Sequence, residues 1–237
     1  MNAPPLIEVR NLAYRYDDGT QALAGVDFDL YPGETVAFFG ANGSGKTTFV
    51  LHLNGLLRGA GRVRVAGLEV NKANLPAIRQ KVGLVFQDAD DQLFMPSVLE
   101  DVAFGPLNLG LPPEVAEQRA LRALEEVNMA HAAGKAPYHL SAGEKKRVSI
   151  AGILAMNPEI LVLDEPTTYL DPPGRRGLTA LLARLPQAKI VVTHDVGFAL
   201  ELATRAVFFE KGRIAAEGGP QEIVERFQWR LRAPLRR

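Results

Sequence analysis

Apolar and polar positions follow two rhythms along this 237-residue chain, and the change between them divides it in three. The first runs are short and β-rich: IEVRNLAYRY, VDFDL after Gly25, and TVAFF ending at Gly40, with Pro32-Gly33 marking a turn between the last two. A helix is expected from about Gly45 to Leu56, followed by the glycine-bounded strand GRVRVAG. From Val98 to Met156 the pattern turns helical: VLEDVAF, then EVAEQRALRALEEV with Leu121, Leu124 and Val127 on one face, then a helix starting near Ser141. After Pro158 strands return between helices: EILVLD, a helix from about Pro173 to Leu185, KIVVTH, a helix to Ala203, and AVFFEKGRI. Such alternation, with nearly continuous apolar strands, predicts an α/β fold whose mostly parallel sheet is covered on both faces. The helical middle then reads as a subdomain, about 88–158, inserted between core segments of about 1–87 and 159–237 in a single domain.

Composition narrows the classes. With 47% hydrophobic and 23% charged residues the chain is of ordinary globular type, and zero formal charge removes the basic field that broad nucleic-acid binding needs. No nucleic-acid partner is expected. There is no cysteine, hence no disulfide and no thiolate metal site, and MNAPPLIEVR lacks the apolar core of a secretion signal. A cytosolic setting is the default. No apolar run approaches the roughly 20 residues that cross a bilayer, so a membrane role would be peripheral, through a partner.

The candidate chemistry starts at GANGSGKTT, Gly40 to Thr48, which fits G-x-x-x-x-G-K-[ST] between an apolar strand and a helix. Gly40, Gly43 and Gly45 let the backbone curl so that N–H groups, those of Asn42 and Ser44 among them, face phosphate oxygens at a helix N-terminus. Lys46 would reach the β- and γ-phosphates, and the Thr47 hydroxyl, beside Thr48, would ligate magnesium. EILVLDEP adds Asp164 at a strand end as a magnesium-side ligand and Glu165 as the group that polarises water. His194 ends KIVVTH and Gln87 ends GLVFQ, and ends of parallel strands line the ligand crevice of open α/β sheets. Gln87 there could touch magnesium or the attacking water.

In HLSAGEKKRVSIAGILA, Ser141 and Glu144 have capping-box spacing. Lys145, Lys146 and Arg147 crowd that helix start, where the dipole disfavours cations, so the end is expected to receive an anion. The ordered set Tyr16, GANGSGKTT, Gln87, LSAGE, LVLDEP, Leu170-Asp171 and His194 resembles, over essentially the whole chain, the ATPase subunit of an ATP-binding cassette transporter. That resemblance implies a P-loop NTPase of the cassette type, with an N-terminal antiparallel β subdomain, that binds ATP and Mg2+. It further implies that Tyr16 stacks on adenine and that Ser141 and Gly143, with Glu144 beside them, meet the γ-phosphate held by a second subunit, Asp171 communicating across the interface. One phosphate loop and one signature per chain imply a homodimer or a heterodimer with a similar ATPase. Ala142 and Glu144 depart from the usual LSGGQ, and Tyr169 stands where a small residue is common. Glu144 adds negative charge near a triphosphate, which the basic residues after it are expected to offset.

Asp88, Asp90 and Asp91 in LVFQDADDQLF fall among residues of buried character, and an unpaired buried carboxylate is costly, so they are expected at a boundary. QDADDQLF and SVLEDVAFGPLNLGL look most like the ATPases of energy-coupling factor importers, particularly those for cobalt and nickel; vitamin importers use similar ones. The resemblance implies an integral membrane coupling protein with arginine-bearing helices, a substrate-binding membrane subunit, and residence at the cytoplasmic face of the membrane. The three aspartates are accordingly expected at the docking groove. The ATPase of a conventional cassette transporter, or a cassette ATPase outside transport, is the alternative reading. The basic tail ERFQWRLRAPLRR, with Trp229 among arginines, is expected to be solvated, the alternative being that it lies against anionic lipid.

Overall fold

The structure, a computed structural model, describes residues 3–229. Strands β1 (Ile7–Arg15) and β2 (Gln21–Leu30) pair antiparallel; β3 (Thr35–Phe39) enters a second sheet and is followed by α1 (Lys46–Leu53). The chain returns to the first sheet with β4 (Ala60–Val65) and β5 (Leu68–Glu69), giving the antiparallel order β2-β1-β4-β5. Helix α2 (Leu75–Lys81) and strand β6 (Val82–Val85) lead into α3 (Val98–Asn108), α4 (Pro113–Glu126) and α5 (Ala142–Leu154). Strand β7 (Ile160–Asp164), α6 (Pro172–Arg184), β8 (Ala188–Val192), α7 (Val196–Leu202), the hairpin β9 (Arg205–Glu210) and β10 (Arg213–Gly218), and α8 (Pro220–Arg226) complete the fold. The larger sheet runs β10-β9-β3-β8-β7-β6 and is parallel except for that hairpin. Among the described residues no helix is long and apolar enough to cross a membrane.

Alternation along the central strands feeds two cores. Ile160, Val162, Ile190 and Val192 join the antiparallel sheet and α1, whereas Leu161, Leu163 and Val191 join α5, α6 and α7 on the other face. Every residue of β3, β6, β7 and β8 is therefore buried, as strands covered on both sides require.

Several boundaries differ from the sequence expectation for local reasons. Strand β2 begins at Gln21 and passes through Gly25, whose φ of 83° suits only glycine, so VDFDL is its second half. AVFFEKGRI is two strands, turning at Lys211-Gly212, both left-handed. Helix α1 stops at Leu53, three residues early, because Asn54 ends it and Gly55 turns left-handed. On α4 the buried face is Ala116, Ala120, Ala123 and Leu124, continued by Val127, while Leu121 is 37% exposed. Small alanines, not a leucine stripe, let α4 lie against α3 and α5.

The parallel register sets up the site. Val85 pairs with Leu163, Asp164 with Val192, Phe38 with Val192, and Phe39 with Phe208, so these strands end level with one another. The segments that follow them, starting at Phe86, Gly40, Glu165 and Thr193, emerge at one edge.

Candidate functional site

The loop between β3 and α1 can form only with glycine at its tightest points. Gly40 has φ 136°, and a Cβ there would lie 2.3 Å from the Phe209 carbonyl oxygen. Gly45 has φ 108° and leaves no room beside the Ala22 carbonyl. Curled this way, the loop turns its own carbonyls inward. The Lys46 ammonium, buried, donates to Gly40 O at 2.6 Å and Ala41 O at 3.0 Å. Burial pulls the Lys46 pKa below its ordinary value, opposed by Glu165 and Asp164. Lys46 is a cation held in place by weak, exchangeable carbonyl bonds, which a phosphate would outcompete.

Two carboxylates face it from the end of β7. Asp164 accepts the Thr47 hydroxyl at 2.9 Å, and burial raises its pKa although Thr47 and Lys46 oppose this. Glu165 sits at φ 43°, and burial foremost, then the charge of Asp164, pushes its carboxyl up to about 7. Its Oε2 accepts the His194 backbone N–H at 3.2 Å, while Oε1 lies 3.1 Å from His194 Nε2. Asn42 Oδ1 stands 3.0 Å from the same nitrogen. With two oxygens facing it, Nε2 carries the ring proton and shares it between them. Desolvation and Lys46 keep the imidazole below its ordinary pKa, so this contact is a hydrogen bond, not an ion pair.

These groups line one cavity of about 750 Å3. Its walls include Tyr16, Asn42, Gly43, Gly45, Lys46, Thr47, Thr48, Gln87, Asp164, Glu165 and His194; Gly40 and Ser44 belong to the same loop but do not line the cavity. Tyr16 is half-exposed at the rim, its hydroxyl 3.0 Å from Thr48 Oγ1 and its ring edge-on to Tyr14. Thr20, Ala22, Thr167 and Asp195 also line it; their spacing carries no motif that sequence reasoning could have used.

Ser141, Gly143 and Glu144 are elsewhere. They form, with Arg147, Tyr169, Leu170 and Asp171, a shallow depression of about 310 Å3. The capping box is real: Ser141 N and Oγ both donate to Glu144 Oε2 at 2.8 Å, and this holds the Glu144 carboxyl below its ordinary pKa. Asp171 caps α6 through Gly174 N at 2.8 Å. The expected cationic helix end is not found. Lys145 reaches Asp90 Oδ1 at 2.6 Å, and buried Lys146 donates to the carbonyls of Phe86 and Gln87, both at 2.8 Å. Arg147 bonds Val127 O but also lines the depression. Lys145 and Lys146 thus clamp α5 to the segment carrying Gln87 and do not offset Glu144.

The aspartates are also redistributed. Asp88 caps a short turn by accepting Asp90 N at 2.9 Å, Asp90 pairs with Lys145, and Asp91 is exposed. None of them lines the large apolar groove, about 630 Å3, formed by Leu75 and Pro76 of α2, Leu93, Phe94, Phe104 and Met156. The carboxylate in that groove is Asp101, which the sequence reading passed over. Its Oδ1 accepts Phe94 N and Met95 N at 3.0 Å; its buried Oδ2 has no partner among the described residues, and desolvation raises its pKa.

A glycine-built phosphate loop opposite Asp164, Glu165 and His194 at neighbouring strand ends has the parts of a P-loop nucleoside triphosphatase. Comparison with known proteins makes this specific. The family profile described as ABC transporter matches residues 23–168. The energy-coupling factor transporter ATP-binding protein EcfA of Methanothermobacter thermautotrophicus is 51% identical, over 98% of this chain and 76% of that one. CbiO1 of Clostridium perfringens, part of the ABC transporter complex cbiONQ, superimposes with a TM-score of 0.84 at 35% identity, covering 97% of this chain and 96% of that one. The ATP-binding cassette MJ0796, a dimer bound to ADP and phosphate in a post-hydrolysis state, gives 0.81 at 28% identity, over 90% and 98%. The chain belongs to the ABC transporter ATPase family: it has the cassette fold, binds ATP and hydrolyses it in the service of transport.

Proposed function

We propose that this chain is the ATPase subunit of an energy-coupling factor importer, acting as a pair of similar subunits around two ATP molecules at the cytoplasmic face of the membrane. The observation that carries this reading is the separation of Ser141 and Gly143 from the cavity that holds Lys46 and Glu165: each chain has two half-sites with no lining residue in common. Because one chain owns both halves, a second copy of itself suffices as partner. Tyr16 stacks on adenine; the loop amides, Lys46 and Thr48 hold the phosphates. Ser141 and Gly143 of the partner complete the γ-phosphate cage, with Glu144 fixing their loop through its capping bonds and Asp171 at the seam.

Glu165 is the base. Its ionised fraction near neutrality supplies the proton acceptor, and its bonds to His194 fix the carboxylate that orients water, while the Nε2–H of His194, shared between Glu165 and Asn42, is the donor a bound γ-phosphate oxygen would draw on. Magnesium fits the donors present. Among the described residues there is no cluster of three metal-binding side chains, but Thr47, Asp164 and Gln87 offer hydroxyl, carboxylate and amide oxygens, a sparse hard set of the kind Mg2+ accepts alongside water and phosphate. When bound it would neutralise charge on the phosphates.

The membrane partner docks in the apolar groove. Phe94, 63% exposed, and Phe104 offer it an anchor, and the unpaired Oδ2 of Asp101 awaits a cation, so a cytoplasmic helix carrying arginine is the complement. The names of the relatives support the energy-coupling type. Cobalt, nickel or a vitamin is the cargo we assign, carried by a small membrane-embedded subunit. Affinity capture from detergent-solubilised native membranes tests this: one coupling-type membrane protein with a small membrane subunit is the expected result, and an ordinary permease pair would overturn the energy-coupling assignment.

A further inference from the structure

Beyond α8 the chain folds back toward the site. Gln228 takes φ 48° and donates to Glu225 O at 3.1 Å, and Trp229 N donates to Val224 O at 2.8 Å. The reversal is fixed by aromatic packing: Phe227 stacks on Phe208 of β9 with centroids 3.7 Å apart and planes at 5°, and Trp229 meets Phe208 edge-on at 5.4 Å. Trp229 is therefore half-buried, not solvated as its arginine-rich context suggests; residues 230–237 lie outside the described residues. Its indole also lies 5.8 Å from the His194 ring, the planes inclined by 32°, within the range of an aromatic contact.

We propose that Trp229 is a positioning residue for His194, bracing the imidazole so that Nε2 stays directed at Glu165, Asn42 and the γ-phosphate. The need is geometric. One shared N–H holds the ring at its tip, and a bifurcated bond leaves rotation about the Cβ–Cγ axis weakly restrained; the indole supplies the lateral stop. Glu165 and Asn42 meet the ring at Nε2, so the brace sets a ring that the catalytic carboxylate also touches. The inference rests on the reading of His194 as a γ-phosphate contact.

Trp229 is the only tryptophan, so it reports on itself. In the Glu165→Gln chain, MgATP should change its emission more than MgADP does, and the difference should vanish when His194→Ala is added. Trp229→Ala should lower kcat about 2- to 12-fold, the loss of one aromatic pair. The ATP KM should stay within about twofold, and Trp229→Phe should restore most of the rate. Added to His194→Ala, Trp229→Ala should change kcat by less than about twofold, whereas a merely structural role would cost as much there as in the parent. Identical emission with MgATP and MgADP, unchanged kcat in Trp229→Ala, or an equal loss in both backgrounds would overturn the proposal. Normal turnover in Glu165→Gln would instead overturn the reading of the site itself.

Discussion

Replacing Glu165 by glutamine separates two consequences of one buried carboxyl. The side chain is only 14% exposed, and its pKa stands at about 7 against 4.5 for a solvated glutamate. The folded protein binds the proton more tightly than the unfolded chain, so stability falls as pH rises from 4.5 to 7 and the loss is complete above that. At about 1.4 kcal/mol per tenfold change in proton affinity, the deficit above pH 7 is on the order of 3 kcal/mol. Glutamine keeps the shape and an acceptor for the His194 N–H but never ionises. The variant should therefore melt several degrees higher than the parent at pH 8, on the order of 2–4 °C per kcal/mol for a chain of this size, with the gap closing toward pH 4.5. Its ATP turnover should fall by a factor of about 100 or more, the scale of a lost general base, while ATP still binds. Scanning calorimetry across pH and a phosphate-release assay read the two effects. Equal melting temperatures at pH 8 would refute the account of a strained carboxylate, and undiminished turnover would refute its role. In the parent, turnover should decline as pH falls through about 7, because protonation removes the base.

Gly40→Ala should destroy nucleotide binding, since a Cβ 2.3 Å from Phe209 O must move either the loop or β9; full affinity with an unshifted melting point would contradict this. Lys146→Met leaves the Phe86 and Gln87 carbonyls without their donor and should cost about 1–3 kcal/mol in urea unfolding. It should also raise the Mg2+ concentration needed for half-maximal turnover, as Gln87 loosens. Asp101→Asn preserves an acceptor for Phe94 and Met95 but removes the charge; it should leave the isolated ATPase unchanged while weakening membrane-partner assembly about tenfold or more, the scale of a lost charge-assisted bond. Asp90→Ala should weaken assembly less, and the reverse order would return the docking role to Asp90.

Most of the nucleotide cavity was legible in the sequence because its chemistry depends on local grammar. A glycine pattern between a strand and a helix dictates one loop shape, and Asp164 at the end of its apolar strand, with Gln87 and His194 two residues past theirs, come together once the sheet is parallel. What was illegible depends on side chains meeting across the fold. Lys145 and Lys146 read as a cationic helix end, yet their long side chains reach back to Asp90 and to the carbonyls after β6, where a desolvated amine finds acceptors. Asp101 was hidden because an acidic residue in a first helical turn is ordinary, and only the fold brings the Phe94 and Met95 amides onto its Oδ1. Trp229 carried no signal in its own neighbourhood; its place is set by Phe208, twenty-one residues earlier.

The central claim is that two chains share each ATP, and the mass of the Glu165→Gln chain in solution tests it most directly. Light scattering with MgATP should show the 25.8 kDa chain doubling in mass, and the doubling should disappear with MgADP or when Ser141→Arg is added. A chain that binds MgATP yet keeps its monomer mass at every protein concentration would contradict the account.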